Sequence, residues 1–300
     1  MRWYFAIDEG GTLGDTGAHA RLAVRSAALS GDLEPRLLYH GARNDFTRWM
    51  EREGVAVIDA EPPCLDAMRD AEARGAFRAH SLGHWLRLAI PLIDRDADFA
   101  LYTDCDIAFL RPVDWGSVRP RVFAAAPEFA PDAWNYFNSG VMVLNMASMR
   151  SSQRAFEDVL RARFAEADAR NYDDQVALNQ AFRGHWDRLD PGLNAKPYWK
   201  HDPHAGVLHF HGPKLGGIET IADGHWNWSD PTSRTIGTLC DAHVQHYVAW
   251  LTDLGERMQM ADIGLALRLH RVAGKLAIYD RTRPPRTHDL SFMRFRLFAD

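Results

Sequence analysis

The sequence predicts an α/β fold, a mostly parallel sheet flanked by helices, with a change to purely helical character after about residue 230. Two observations carry this. Strand and helix signals alternate through the first 60 residues at the spacing of βαβ units. Further on, the apolar run 99–102 stops abruptly at two carboxylates, Asp104 and Asp106. A strand buried in an open α/β sheet ends in this way where a ligand sits beyond its carboxyl end.

The elements follow in order. Residues 3–7 read as a strand that stops at Asp8-Glu9-Gly10-Gly11, 19–29 as an Ala-rich helix and 36–39 as a strand. Residues 46–52 read as a helix and 55–58 as a strand, and 82–93 as a helix carrying Arg87, with Pro91 near its end. Short apolar runs at 107–110, 122–126, 141–144 and 207–210 read as further strands. Ala155, Phe156, Val159, Leu160 and Phe164 fall at helical spacing. Asp173 and Asp174 can cap a helix through Val176, Leu178 and Phe182, because a carboxylate satisfies free N–H groups at a helix start. Val244, Val248, Leu251 and Met258 mark an amphipathic helix, and 265–276 another. This divides the chain into an α/β domain, 1–230, and a helical extension, 231–300.

Composition sets outer bounds. Of 300 residues, 46% are hydrophobic and 25% charged, as in globular proteins with a real core. A net charge of -5 gives no reason to expect nucleic acid as the main partner. Cys64, Cys105 and Cys240 are few, scattered and odd in number, which argues against a disulfide framework. The opening apolar run is too short for a signal peptide, and no run of about 18 apolar residues occurs. A cytoplasmic location is the resulting expectation.

Four constellations carry chemistry. In Leu101-Tyr102-Thr103-Asp104-Cys105-Asp106-Ile107, two hard oxygen ligands suit Mg²⁺ or Mn²⁺, which would also bind phosphate oxygens. The competing reading is a turn whose aspartates cap backbone N–H groups. In Leu208-His209-Phe210-His211-Gly212-Pro213-Lys214, a histidine could complete the metal shell, Gly212 would let backbone approach a ligand, and Lys214 would offset diphosphate charge. The competing reading is a core histidine beside an exposed lysine. In Tyr136-Phe137-Asn138-Ser139-Gly140, Asn138 and Ser139 could bind sugar hydroxyls or simply form a turn. In Tyr172-Asp173-Asp174-Gln175, a carboxylate and an amide at a helix start could face a substrate or only cap the helix. Arg87, flanked by apolar residues, needs a partner: a structural carboxylate, or a donor phosphate or sugar.

The order of these motifs resembles glycosyltransferase family 8, the retaining enzymes of the glycogenin and bacterial galactosyltransferase kind, from about residue 3 to about residue 215. The resemblance implies a GT-A fold with a mixed sheet, a UDP-sugar donor and Mn²⁺, and hexose transfer to an acceptor hydroxyl. Under it Asp104, Asp106 and His209 match the metal ligands, and Asp8, near Ala6, matches the base contact. Arg87, Asn138, Asp174 and Gln175 match donor-sugar contacts, with Ser139 beside them. Gly212 and Lys214 match diphosphate contacts, and Asp174 and Gln175 would sit nearest the anomeric carbon. Two stretches depart from the family pattern: Glu9-Gly10-Gly11 after the first aspartate, and Lys214 followed by Leu215-Gly216-Gly217.

Alternatives remain open at this level. His201, His204, His209 and His211 could form a zinc hydrolase site, although their spacing matches no standard zinc motif. A non-catalytic sugar-nucleotide-binding protein on the same fold is another. The basic residues Arg268, Arg271, Lys275, Arg281, Arg283, Arg286, Arg294 and Arg296 could dock an anionic membrane surface near lipid-linked acceptors, or belong to a packed tail. Neither the acceptor nor the oligomeric state is marked by any motif.

Overall fold

A computed structural model of the chain describes residues 1–78, 82–170, 172–283 and 286–293. The first half runs β1 (Arg2–Asp8), α1 (Asp15–Ser26), β2 (Glu34–His40), α2 (Asp45–Arg52), β3 (Ala56–Asp59), α3 (Leu65–Ala73), α4 (Ile90–Ile93), β4 (Phe99–Thr103), β5 (Ile107–Phe109), β6 (Phe123–Pro127) and β7 (Phe137–Asn145). Then come α5 (Met146–Phe164), α6 (Asp174–Ala181), β8 (Asp187–Arg188), β9 (Val207–His209), α7 (Leu215–Ala222), α8 (Pro231–Ala242), α9 (Val244–Met258) and α10 (Ile263–Thr282).

The described strands form a seven-stranded sheet in the order β3-β2-β1-β4-β7-β6-β8, and β5 pairs with β9 in a second, two-stranded sheet. β1 lies between two parallel neighbours, β2 and β4. It is apolar on both faces because both are covered. Trp3, Phe5 and Ile7 enter one core with Leu101, Val141 and Val143, while Tyr4 and Ala6 enter the other with Tyr102, Met142 and Leu144. Each such side chain contributes roughly 1.5–3 kcal/mol by leaving water. The buried Trp3 indole N–H is satisfied by Thr103 Oγ1 at 2.9 Å.

A third apolar cluster joins Ala108, Leu110, Leu208 and Phe210, around the small sheet, to Ile218 of α7, Leu239 of α8, Trp250 and Leu254 of α9, and Leu269 and Leu276 of α10. The C-terminal helices therefore pack directly on the segment that carries His209.

The sheet is mostly parallel, as the strand–helix rhythm suggested, and it is mixed because β7 runs antiparallel to both β4 and β6. Strand direction leaves no local mark in composition. Several expectations need correction. The helix expected at 82–93 is a 3₁₀ helix, Gly83–Ala89, followed by the single turn α4 with Pro91 in its first turn. Proline lacks the N–H that a continuous α-helix would use there. The helix expected from 19 starts earlier, at Asp15, and ends in a 3₁₀ turn, Ala27–Leu29. α8 was missed although Asp230 caps it (Ser233 N–H to Oδ2, 2.7 Å) and Pro231 follows at the first helical position. Among the described residues no helix is long and apolar enough to cross a membrane.

Several of the basic C-terminal side chains face acids of the same chain. Arg268 pairs with Glu219 at 2.6 Å, Lys275 with Asp223 at 2.8 Å, and Arg283 with Asp241 at 2.9 Å. These three pairings are those of a packed tail, while Arg271 and Arg281 are exposed, and Arg294 and Arg296 lie outside the described residues.

Candidate active site

The carboxyl ends of β1 and β4 open into a cavity of about 1230 Å³. It lies where the strand order reverses, the position at which open α/β sheets bind ligands. Every residue expected at the site from sequence lines it: Ala6 and Asp8 from β1, Arg87, Asp104 and Asp106, Asn138 and Ser139, Asp174 and Gln175, and His209, Gly212 and Lys214.

The turn between β4 and β5 brings the acidic pair to the histidine. Asp104 follows β4, and its backbone N–H donates to Gly140 O of β7 at 2.8 Å. Asp106 precedes β5, and the antiparallel register of β5 with β9 sets Ile107 opposite His209. His209 Nε2 consequently lies 3.4 Å from Asp106 Oδ1 and 3.8 Å from Asp104 Oδ2. One ligand atom from each of the three residues lies within 4.8 Å of the others. Gly140 leaves the room: a Cβ there would stand 2.3 Å from His209 Cε1 and 2.8 Å from Asp104 Oδ2.

The tautomer of His209 follows from a backbone amide. Gly140 N–H donates to Asn138 Oδ1 at 3.0 Å, which fixes the orientation of that amide. Asn194 Nδ2 donates to the same oxygen at 2.9 Å, so Asn194 Oδ1 must face His209 Nδ1, 2.9 Å away. Nδ1 therefore carries the proton, and the Nε2 lone pair points at two carboxylates. Burial lowers the imidazole below its ordinary value, against the attraction of Asp106, and keeps it neutral. Three electron-pair donors facing one another without a proton between them fit a hard divalent cation. Burial raises the Asp106 carboxyl, but the Lys214 ammonium beside it outweighs burial and holds the group well below the usual range. Lys214 Nζ donates to Asp106 Oδ2 and to Phe210 O. Gly212 reaches φ 114°, a left-handed conformation open to glycine.

Arg87 binds the two halves of the site together. Its Nη2 donates to Asp104 Oδ1 at 2.8 Å, its Nε pairs with Asp174 Oδ2 at 2.7 Å, and its Nη1 donates to Ser139 O at 2.6 Å and Oγ at 2.8 Å. The guanidinium also lies 4.5 Å from the centre of the Tyr102 ring. The Asp173–Asp174 ambiguity is thereby resolved. Asp173 caps α6, accepting from Val176 N–H at 2.7 Å, and Asp174 turns inward to Arg87. Burial raises the Asp174 carboxyl above its ordinary value, with Arg87 opposing.

Asn138 and Gln175 are engaged within the protein. Asn138 Nδ2 donates to Glu128 Oε2 at 2.7 Å. Gln175 Oε1 accepts from Ser139 N–H at 2.9 Å, and its Nε2 donates to Glu128 Oε2 at 2.9 Å. Asp8 accepts from Gly11 N–H at 2.8 Å and from Gly83 N–H at 3.1 Å.

Sequence reasoning missed Glu128, Asn194 and Lys196. Glu128 was findable: β6, like β4, is an apolar run that ends at a carboxylate. Its Oε1 lies 3.3 Å from His211 Nε2, and Tyr198 Oη lies 3.0 Å from His211 Nδ1. Burial raises the Glu128 carboxyl, but His211 and Asn138 bring it down to about 2. Lys196 is fully buried, and burial lowers its ammonium to about 7 against the pull of Glu128. Nothing in the loop around Asn194 and Lys196 marks either residue.

The depressed Glu128 pKa has a measurable consequence. The stability its ionisation contributes is complete above about 4.5, the unfolded value, and is lost as pH falls toward about 2. Glu128→Gln is expected to lower the melting temperature at pH 7 and to show a shallower decline than wild type between pH 6 and pH 3.5. Parallel profiles would mean that folding leaves the Glu128 carboxyl unshifted.

The four-histidine zinc reading does not survive the geometry. His201 Nε2 faces Asp253 at 3.3 Å and its ring packs edge-on against Trp250, while His204 is exposed. Among the described residues the three-ligand cluster is Asp104, Asp106 and His209.

Comparison with solved structures places this architecture. The galactosyltransferase LgtC, in complex with donor and acceptor sugar analogs, superposes with a TM-score of 0.52 at 17% identity, covering 81% of this chain and 96% of that chain. The fold is GT-A. The glycosyltransferase GlyE of Streptococcus pneumoniae TIGR4 gives a TM-score of 0.53 at 18% identity, over 71% of this chain and 56% of that chain. In sequence, glucoside xylosyltransferase 1 of Gallus gallus is 38% identical over 84 residues, which cover 21% of this chain and 19% of that protein. The Homo sapiens enzyme is 37% identical over the same length and the same shares. The match therefore spans about a fifth of these relatives. No family model matches the chain. These relatives and GT-A neighbours are glycosyltransferases, consistent with the family 8-like motif order.

Proposed function

We propose that this GT-A protein is a retaining glycosyltransferase that moves a hexose from a UDP-sugar to an acceptor hydroxyl, with Mn²⁺ as its cation and Mg²⁺ as an alternative. The observation that carries the reading is the convergence of Asp104, Asp106 and His209, beside Lys214, in one cavity at the carboxyl ends of β1 and β4.

Asp104, Asp106 and His209 would hold the cation, whose charge would stabilise a departing diphosphate. Lys214 adds a second positive charge beside the cluster, where charge develops on the leaving group. Gly212 lets the chain pass close to the diphosphate, and Ala6 and Asp8 border the end of the cavity assigned to the base. Arg87 fixes Asp104, Ser139 and Asp174 relative to one another, so the donor sugar would meet a preorganised wall. Asn138, Ser139 and Gln175 complete that wall.

The reaction breaks the bond from the anomeric carbon to the β-phosphate oxygen, and its electron pair leaves with UDP. The acceptor oxygen forms the new bond from the same face, and its proton passes to the departing phosphate. Gln175 is held by Ser139 and Glu128 on both amide atoms, which supports a positioning role over a nucleophilic one. Asp174 is already paired with Arg87, which weakens it as a nucleophile.

Thermal unfolding with UDP, GDP or TDP, each with and without Mn²⁺, tests the reading. UDP at about 100 times its dissociation constant should stabilise by roughly 2.7 kcal/mol. The shift should grow with Mn²⁺. A response to GDP or TDP alone would correct the base, and no response to any nucleotide would reject the transferase. UDP-xylose belongs beside UDP-hexoses in subsequent turnover assays, given the partial likeness to glucoside xylosyltransferases.

A further inference from the structure

The cavity lining holds two chemically different groups of residues. One is the acidic pair with His209 and Lys214. The other is Phe129, Ile236, Leu239 and Phe292, together with Glu128 and His211. The rings make a continuous series: Phe129 lies 5.8 Å from His211, and Phe292 stands edge-on to Phe129 at 6.4 Å. The backbone of Phe129 is pinned, since its carbonyl accepts from Trp199 Nε1 at 2.6 Å.

Phe292 comes from the segment after α10, far along the chain from every motif of the site. It is brought there by an ionic anchor. Asp241, at 0% exposure near the end of α8, accepts from Tyr279 Oη at 2.6 Å, pairs with Arg283 Nη1 at 2.9 Å, and has His288 Nε2 at 3.3 Å. Arg286 stands 3.8 Å from the same carboxylate, and its guanidinium lies 4.1 Å from the Trp228 ring centre. A buried carboxylate strongly disfavours losing such partners, so the segment is held in place. Ile236 and Leu239 of the same helix line the cavity beside Phe292. The arrangement therefore serves one wall.

We propose that segment 286–293, anchored on Asp241, forms the acceptor side of the active site, where Phe292 and Phe129 bind the apolar face of an uncharged pyranose and Glu128 and His211 meet its hydroxyls. This rests on the transferase reading above. A pyranose has an apolar C–H face and a polar rim, and the wall offers aromatic faces next to a carboxylate and an imidazole. The carboxylate of Glu128, ionised at neutral pH, disfavours an anionic acceptor sugar.

The test uses the full chain with methyl β-glucopyranoside, methyl β-galactopyranoside and methyl β-xylopyranoside as probes. Saturation-transfer NMR measures their binding in the presence of UDP and Mn²⁺, and thermal unfolding measures the UDP response separately. At least one glycoside is expected to bind wild type. Phe292→Ala should weaken it roughly tenfold, Phe292→Tyr should restore it, and the UDP response should stay unchanged in both. The proposal is overturned if no glycoside binds wild type, if Phe292→Ala binds as wild type does, or if its UDP response falls in parallel. Absence of a UDP response in wild type, with glycoside binding still sensitive to Phe292, would reject the donor reading and leave the sugar site standing.

Discussion

Asp106→Ala is expected to lower sugar transfer by roughly 10³-fold, the scale of losing one preorganised charge-stabilising group. It should also abolish the Mn²⁺-dependent part of the UDP thermal shift. Asp106 supplies one of three converging ligand atoms, with His209 Nε2 at 3.4 Å. It is also the carboxylate that holds Lys214 beside the cluster. Removing it takes away a ligand and frees the lysine in a single change. Fold damage should be slight, because the Lys214 side chain is about one-third exposed and can turn to water. Isothermal titration of Mn²⁺ with UDP present separates the effects: the metal-linked heat should vanish while weak, metal-free UDP binding persists. A normal Mn²⁺ response in the variant would mean that the cation sits elsewhere.

Arg87→Ala should be the most damaging single change to stability, at about 3–5 kcal/mol. The guanidinium is buried between Asp104 and Asp174, and its removal leaves two carboxylates facing each other across a poorly solvated gap. Burial lowers the arginine's tendency to hold its proton, but the two aspartates together more than compensate, so the charge is secure in wild type. Urea unfolding should show the loss as an earlier midpoint, with the melting temperature falling by about 10 °C. Arg87→Lys should recover only part of this, because an ammonium cannot present a planar fork to three partners. The exposed pair Arg121–Asp187 provides the contrast, and Arg121→Ala should leave the midpoint unchanged. An Arg87→Ala midpoint equal to wild type would mean that Asp104 and Asp174 find other compensation.

The site was legible where chemistry is written into short stretches. The run 101–106 announces a buried strand ending in carboxylates, and it does so whatever the rest of the chain contributes. His209 was legible only through motif order, because a lone histidine beside a turn carries little information. Glu128 carried the same strand-end signal as Asp104 and was passed over. Asn194 and Lys196 carried none, since their roles depend on Asn138 and Glu128, which lie more than 50 residues away in the chain. The 3₁₀ character of Gly83–Ala89 was hidden too, as its apolar residues suit either helix.

By itself the sequence determined the alternation of strands and helices, the apolar runs that must be covered on both faces, and the hard-oxygen donor set at Asp104 and Asp106. These follow from local periodicity and side-chain chemistry. Only the tertiary structure decided how His209, marked in the sequence by motif order alone, is set against the aspartates, which of Asp173 and Asp174 caps and which turns inward, and where the C-terminal segment goes. Those outcomes depend on strand register and on pairings between distant residues: Ile107 opposite His209, Arg87 between Asp104 and Asp174, Asp241 beneath Arg283 and His288. Such pairings come into being when the chain closes on itself, and no window of neighbouring residues contains both partners.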